Sequence, residues 1–148
     1  MGALLRDTAF YSSAYVSKHI QDSRKHTAKP VGLPFELTVP SPSAGGDTYN
    51  LQVIPAQWRV VGLECSTDGL GASAGSGRTF QIGDAGDDDR YMIASDFDLA
   101  NAQGTLAFTG AGYTPSADTI VVGKMHATNP AVVGKKVTGV IWCLPFSS

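Results

Sequence analysis

The chain has few charged residues, no long apolar run and only two cysteines. Asp, Glu, Lys and Arg make up 16% of its 148 residues, against about a quarter in an ordinary soluble domain. No window approaches the run of about 18 apolar residues that marks a membrane-spanning helix. The apolar start, residues 1–5, ends at Arg6 and is too short for a secretory signal. We therefore expect no membrane association.

Cysteine and histidine are too sparse for a metal centre or a nucleophilic active site. Cys65 and Cys143 lie far apart, and without a secretory signal they are expected to be buried free thiols, a disulfide being the alternative. The three histidines, His19, His26 and His126, match no zinc-ligand spacing and form no catalytic arrangement with a cysteine. We expect a protein that is not an enzyme and needs no cofactor.

Glycine and proline are plentiful instead, and apolar residues alternate with polar ones. The chain has 17 glycines and 8 prolines, which favours short strands and turns over long helices. Strands are predicted at 35–39, 49–53, 58–65, 78–82, 91–94, 106–108, 119–125 and 137–144. This pattern predicts an all-β fold over residues 31–148, a β-sandwich resembling a jelly roll.

The first 30 residues differ from the rest and are predicted to form an N-terminal arm. Residues 1–29 carry five basic and two acidic side chains (net +3), and residues 30–148 carry six and eleven (net −5). The apolar spacing allows a short amphipathic helix, and the scarcity of aliphatic residues equally allows an extended arm that orders on a partner, or a disordered terminus. The basic groups lack interleaved stacking residues, so no nucleic-acid partner is expected. The candidate partner-binding residues are Leu4, Leu5, Arg6, Phe10, Tyr11, Tyr15, Arg24 and Lys25.

An acidic turn lies between two of the predicted strands. Four carboxylates, Asp84, Asp87, Asp88 and Asp89, occupy six positions. Calcium takes about six to eight oxygen ligands, but the spacing does not match an EF-hand loop, and consecutive aspartates in a regular turn cannot all face one ion. Asp and Gly are favoured in turns for local backbone reasons. We interpret the stretch as a solvated hairpin turn, with a cation site at these four residues as the alternative.

Four aromatic residues on separate segments allow two interpretations. Trp58, Tyr91, Tyr113 and Trp142 can form a platform that stacks against a sugar, or they can fill the core of a sandwich, where large aromatics dominate burial. We expect Trp142 in the core. Trp58 stays open, because the neighbouring Arg59 marks a strand start near the surface.

Several stretches of the predicted sandwich share a pattern with one class of viral proteins. They are IPAQWRVV at 54–61, FQIGDAGDDDRYMIASD at 80–96, the turn at 113–118 before Ile120, and the final strand through Val140. Together they resemble the capsid decoration, or cement, proteins of tailed bacteriophages and related minor head proteins. The pattern covers residues 53–144 and leaves the arm outside it.

The resemblance implies a β-sandwich that is often trimeric and clamps neighbouring capsid subunits. The implied partners are the major capsid protein and further copies of this chain in a homotrimer. The implied location is the capsid surface of the virion, after synthesis in the host cytoplasm. The sandwich would supply the oligomer contact and the arm would extend onto the shell. The alternative is a carbohydrate- or calcium-dependent binding module of a phage fibre or tail.

Overall fold

The computed structural model describes residues 5–7, 29–40, 45–71, 77–126 and 133–145, and the regular secondary structure of these residues is β-strand. In this part of the chain there is no helix, and so none that could cross a membrane. The strands are β1 Leu5–Asp7, β2 Val31–Thr38, β3 Thr48–Ile54, β4 Arg59–Thr67, β5 Thr79–Asp84, β6 Asp87–Asp96, β7 Gln103–Thr105, β8 Thr119–His126 and β9 Lys136–Leu144. The all-β prediction is confirmed.

The strands form two sheets that enclose one core. The large sheet has the order β1-β3-β8-β5-β6, and the small sheet has the order β2-β9-β4-β7. All neighbouring strands are antiparallel except β1, which runs parallel to β3. Consecutive strands lie in opposite sheets, and among the strands described here only β5 and β6 are joined within a sheet. The predicted β-sandwich is therefore confirmed.

The core is built from the inward-facing half of each strand. On β2, Leu33, Phe35 and Leu37 are buried, whereas the residues between them are half-buried, which is the period-two alternation of a strand with one solvated face. Gly139 of β9 pairs with Phe35 on one side and Cys65 on the other. A methyl group at Gly139 would lie 2.5 Å from the Phe35 ring and 2.7 Å from Cys65 Cβ. Glycine is therefore required where these two side chains fill the centre of the sandwich.

The first and the last strand of the sandwich lie next to each other in the small sheet. β2 and β9 are neighbours, and Val31, the first residue of β2, pairs with Cys143 near the end of β9. Because the strands are antiparallel, the chain enters and leaves the sandwich at the same end of the same sheet.

One predicted strand was wrong and another was too short. Residues 106–108 form no strand, and a turn begins at Phe108; β7 instead occupies Gln103–Thr105, where Gly104 pairs with Cys65. A methyl group at Gly104 would overlap Met92 Sδ, so β7 passes close to the core at a residue that has no side chain. The strand expected at 91–94 extends over Asp87–Asp96, because its acidic first residues interrupt the apolar pattern without interrupting the strand.

Both cysteines are buried free thiols, as expected. Cys65 of β4 pairs with Gly139 of β9, and Cys143 of β9 pairs with Val60. Gly139 and Cys143 are four residues apart, so the two cysteines are about 13 Å apart along the strand direction. A disulfide requires Cα atoms within about 7 Å. Burial raises the pKa of each thiol to about 12.

We expect neither thiol to react with a disulfide reagent such as DTNB in the folded protein. At about pH 8 a thiol with this pKa is ionised in roughly one molecule in ten thousand, and the folded core excludes the reagent. Both thiols should react in denaturant, followed by absorbance. Val61→Cys, at an exposed position of β4, is the matched control and should react at once. Rapid reaction of the native wild-type protein would contradict the burial.

Candidate functional site

The acidic stretch forms a two-residue hairpin between β5 and β6. Asp84, the last residue of β5, pairs with Asp87, the first of β6, across the turn at 85–86. The backbone of β6 at Asp87 and Asp88 folds so closely across Gly83 that a methyl group there would overlap it. Gln81 Nε2 donates to the carbonyl of Asp88 at 2.9 Å. These contacts fix the first residues of β6 against β5.

Asp84 differs from the other three aspartates because it is buried and accepts four hydrogen bonds. Its side chain is 4% exposed. The carboxylate accepts from Arg90 Nε at 2.8 Å, from the Tyr91 hydroxyl at 2.9 Å, and from the backbone N–H groups of Gly86 at 2.9 Å and Asp87 at 3.1 Å. A buried carboxylate is tolerated only where charged and neutral donors satisfy it in this way. Asp84 therefore acts as the anchor of the hairpin.

Arg90 and Tyr91 extend this anchor to the loop after β7. The Arg90 guanidinium lies 4.1 Å from the centroid of the Tyr113 ring, and the Tyr113 and Tyr91 rings meet edge to face at 6.1 Å. Burial alone would lower the pKa of Arg90, but the hydrogen bond and charge of Asp84 outweigh it and raise that pKa. Burial, together with the charge of Asp84, raises the pKa of Tyr91. Tyr91 therefore keeps its proton and remains a donor to the carboxylate.

The other three aspartates lie together at the surface. One carboxylate oxygen from each of Asp87, Asp88 and Asp89 lies within 4.8 Å of the others. Lys124 of β8 forms an ion pair with Asp88 at 2.6 Å, and its hydrogen bond lowers the pKa of Asp88. A hydrogen bond to Asp87, with the like charges of Asp87 and Asp88, raises the pKa of Asp89. The structure thus brings three of the four predicted ligands together and engages Asp84 elsewhere, and the cation site stays a prediction.

Two of the predicted arm residues lie in the described part of the chain. Leu5 pairs with Thr48, and Arg6 with Tyr49, in the parallel contact between β1 and β3. The backbone at these arm residues is therefore extended and adds a strand to the large sheet. The other predicted partner-binding residues lie outside the described residues: Leu4, Phe10, Tyr11, Tyr15, Arg24 and Lys25.

Trp142 lies on the outer face of the small sheet, so its predicted place in the core was wrong. It is 37% exposed. Its cross-strand neighbours are Gly32 of β2 and Gly62 of β4, and a methyl group at Gly32 would lie 3.0 Å from the indole ring. The indole therefore lies across a row of glycines. Its neighbours Ile141 and Cys143 are buried, and their alternation was the signal that could have placed Trp142 outside.

The four aromatic residues proposed as one platform are not brought together. Trp58 and Tyr91 are buried in the core, and Tyr113 packs against its edge. A groove of about 610 Å³ lies on the outer face of the small sheet. Trp142 does not line it, but Val140, two residues earlier on the same face of β9, does. The residues lining this groove include Pro34, Glu36, Glu64, Thr138 and Val140. This groove could not be predicted from the sequence, because it is formed by four strands that are distant in the chain.

Comparison with known proteins shows what the fold is similar to. No protein-family model and no curated protein matches this chain. A chain in the capsid of Ralstonia phage GP4 has a TM-score of 0.68 at 18% identity, over 83% of this chain and 88% of that one. A chain in the capsid asymmetric unit of cyanophage Pam1 has a TM-score of 0.64 at 22% identity, over 79% and 86%.

A third structure has the same fold. A chain in the acidic stable capsid of the Helicobacter pylori bacteriophage KHP30 has a TM-score of 0.58 at 20% identity, over 82% of this chain and 92% of that one. At these identities the likeness establishes the fold. The chain has a β-sandwich of a kind that is present in phage capsids.

The anchoring role of Asp84 predicts a large difference between two aspartate substitutions in one hairpin. Asp84→Ala should lower the free energy of unfolding by about 3 kcal/mol, because Arg90 and Tyr91 lose a buried acceptor. Asp88→Ala removes the same charge from an exposed ion pair and should cost at most about 1 kcal/mol. Urea denaturation followed by fluorescence measures both. Equal losses would show that Asp84 does not anchor the hairpin.

Proposed function

We propose that this protein is a structural component of a phage particle, a decoration protein that binds the capsid surface as a homotrimer and stabilises the shell. The observation that carries the proposal is the likeness to chains in three phage capsid structures, which extends over 86–92% of those chains. The match therefore covers small chains almost whole, and not one domain inside a larger protein. The likeness of residues 53–144 to decoration proteins supports the finer role.

The strand order supports assigning the sandwich to the jelly-roll class. Without β1, the sheets contain four strands each, β3-β8-β5-β6 and β2-β9-β4-β7. Each connection except that between β5 and β6 crosses from one sheet to the other. Double-sheet jelly rolls of eight strands are found in viral capsid and lectin domains. A sandwich with its own closed core suits a protein that is added to a shell as a rigid unit.

The chemistry of the acidic hairpin and the cysteines supports a structural role over a catalytic one. The Asp84 carboxylate is held by four donors, so it is poorly placed to accept a proton from a substrate. Cys65 and Cys143 have pKa values of about 12, the opposite of what a nucleophilic cysteine needs. The cysteines are side chains of the core, and Asp84 anchors the hairpin.

Stabilisation of the shell follows from binding the assembled state. A protein that binds across a junction between capsomers and does not bind free subunits stabilises the shell by mass action. Symmetric repetition multiplies weak contacts into avidity. In this proposal the sandwich supplies the oligomer contact and the basic arm extends onto the major capsid protein. Phe108 is 95% exposed in the turn after β7, and its apolar side chain can contact another copy of this chain or the major capsid protein.

A second candidate function is carbohydrate binding, as in a module of a fibre or tail. The observation that favours it is the exposed indole of Trp142 on the same sheet face as a groove lined by Glu36 and Glu64. Aromatic rings bury the apolar face of a ligand, and a few polar groups fix its orientation.

Removal of the arm tests the decoration role. Deletion of residues 1–29 should leave a folded body, because every residue of the described core lies between residues 31 and 143. The body should no longer co-sediment with shells assembled from the major capsid protein of the same virus. Arg24→Ala with Lys25→Ala keeps the arm length, lowers its positive charge and should weaken binding. Light scattering of the full chain should give a trimer.

Three results would contradict this proposal, each in a different part. An unfolded deletion product would reject the division between residues 1–30 and 31–148. Unchanged co-sedimentation would reject the arm as the shell-binding element. A monomer in solution would reject the homo-oligomer.

Substitution of the exposed tryptophan tests the second candidate. We expect wild-type protein to bind no bacterial surface polysaccharide on an array if the decoration role is correct. If the carbohydrate role is correct, Trp142→Ala should abolish binding, because the stacking surface is lost. Ile93→Ala, at an exposed apolar position on the opposite sheet, is the matched control and should leave binding unchanged.

A further inference from the structure

The strand β3 is the edge of the large sheet, apart from a short cover supplied by the arm. β3 has seven residues and β1 has three. β1 pairs with Thr48, Tyr49 and Asn50, just before the register of β3 shifts against β8. An edge strand presents a row of backbone N–H and C=O groups that can pair with another chain. β1 occupies the first part of that row.

The other edges of the two sheets carry features that hinder pairing. β2 contains Pro34, which has no N–H to donate. β6 changes register twice against β5, and β7 is three residues long. Proline, irregular register and short length are the means by which sheet edges are protected from other chains. Among the described edges, β3 is the one protected by an added strand.

The chain between β1 and the sandwich is much longer than its own subunit requires. Gln52 of β3 donates to the carbonyl of Pro34 on β2 at 2.7 Å, so the two strands are in contact across the two sheets. Asn50 is two residues from this contact and Val31 is three, so at about 3.3 Å a residue and about 10 Å between the sheets they are at most about 27 Å apart. The connection from β1 to β2, residues 8–30, has 23 residues and can reach up to about 76 Å. Its length does not limit β1 to the β3 strand of the same copy.

We propose that β1 is exchanged between copies of this chain, so that residues 5–7 of one copy pair with residues 48–50 of a neighbouring copy. Exchange keeps every backbone pair of the β1–β3 contact and only changes which copy supplies it, which is why such swapping costs little. A three-residue pairing is weak in solution, but neighbours in an oligomer hold the arm at a high effective concentration. The arm has a net charge of +3 and residues 30–148 have a net charge of −5, so opposite charges also favour contact between the arm of one copy and the body of another.

The test is cross-linking between two cysteine variants of the full chain. Leu5 and Thr48 are register partners, so cysteines at these positions place their Cα atoms about 5 Å apart, within disulfide range. Leu5→Cys and a tagged Thr48→Cys chain are refolded together and oxidised. Exchange should give a covalent heterodimer on a denaturing gel without reductant. Cys65 and Cys143 are buried and do not compete.

The control replaces the acceptor position by one at the opposite edge of the large sheet. Leu5→Cys is refolded with a tagged Ile93→Cys chain, whose cysteine lies exposed on β6. The Thr48→Cys mixture should exceed this control by about tenfold or more, since pairing holds its thiols at millimolar effective concentration.

A single chain that carries both cysteines completes the test. Exchange should convert this Leu5→Cys, Thr48→Cys chain into covalent oligomers. Cross-links that form only within one chain, with no heterodimer above the control, would overturn the proposal, as would the absence of any cross-link. The exchange rests on the homo-oligomer of the proposed function, and light scattering of the same samples separates the two: an oligomer without cross-links between chains rejects the exchange alone.

Discussion

The β5–β6 hairpin and the residues around it depend on the hydrogen bonds that the buried carboxylate of Asp84 accepts. It closes the turn through two backbone N–H groups and holds Arg90 and Tyr91, and Arg90 in turn reaches Tyr113 in the loop after β7. The β5–β6 hairpin is the one in-sheet connection among the described strands. A single side chain therefore stabilises the strand pair that is most local in the chain. The other strand pairs join distant segments, and folds dominated by such non-local contacts form slowly.

Alternation of apolar and polar residues was enough to predict the sandwich and most of its strands. It worked where one face is buried and the other solvated, as on β2. It failed at β6, where charged residues occupy the start of a real strand, and at β7, where the strand is held by Gly104 and has no apolar pattern to show. The order of strands within the sheets could not be read from the pattern, because it depends on contacts between distant segments.

The candidate site was only partly predictable for a related reason. The sequence placed four aspartates in one turn but could not separate Asp84 from the others, because burial is set by where Arg90, Tyr91 and Tyr113 meet. Trp142 shows the opposite case, since its outward position follows from the alternation of Ile141 and Cys143. Large size and apolar character favoured the core, but strand geometry decided the outcome.

The pairing of β2 with β9 determines where a peptide fused to this chain would emerge from the sandwich. Val31 and Cys143 are partners, so a peptide fused after β9 would emerge beside the arm, on the side that the proposed function turns toward the shell. Cargo meant for the outside of a particle belongs in a loop at the other end of the small sheet, such as the one between β2 and β3. The fold thus offers one end for attachment and the opposite end for display.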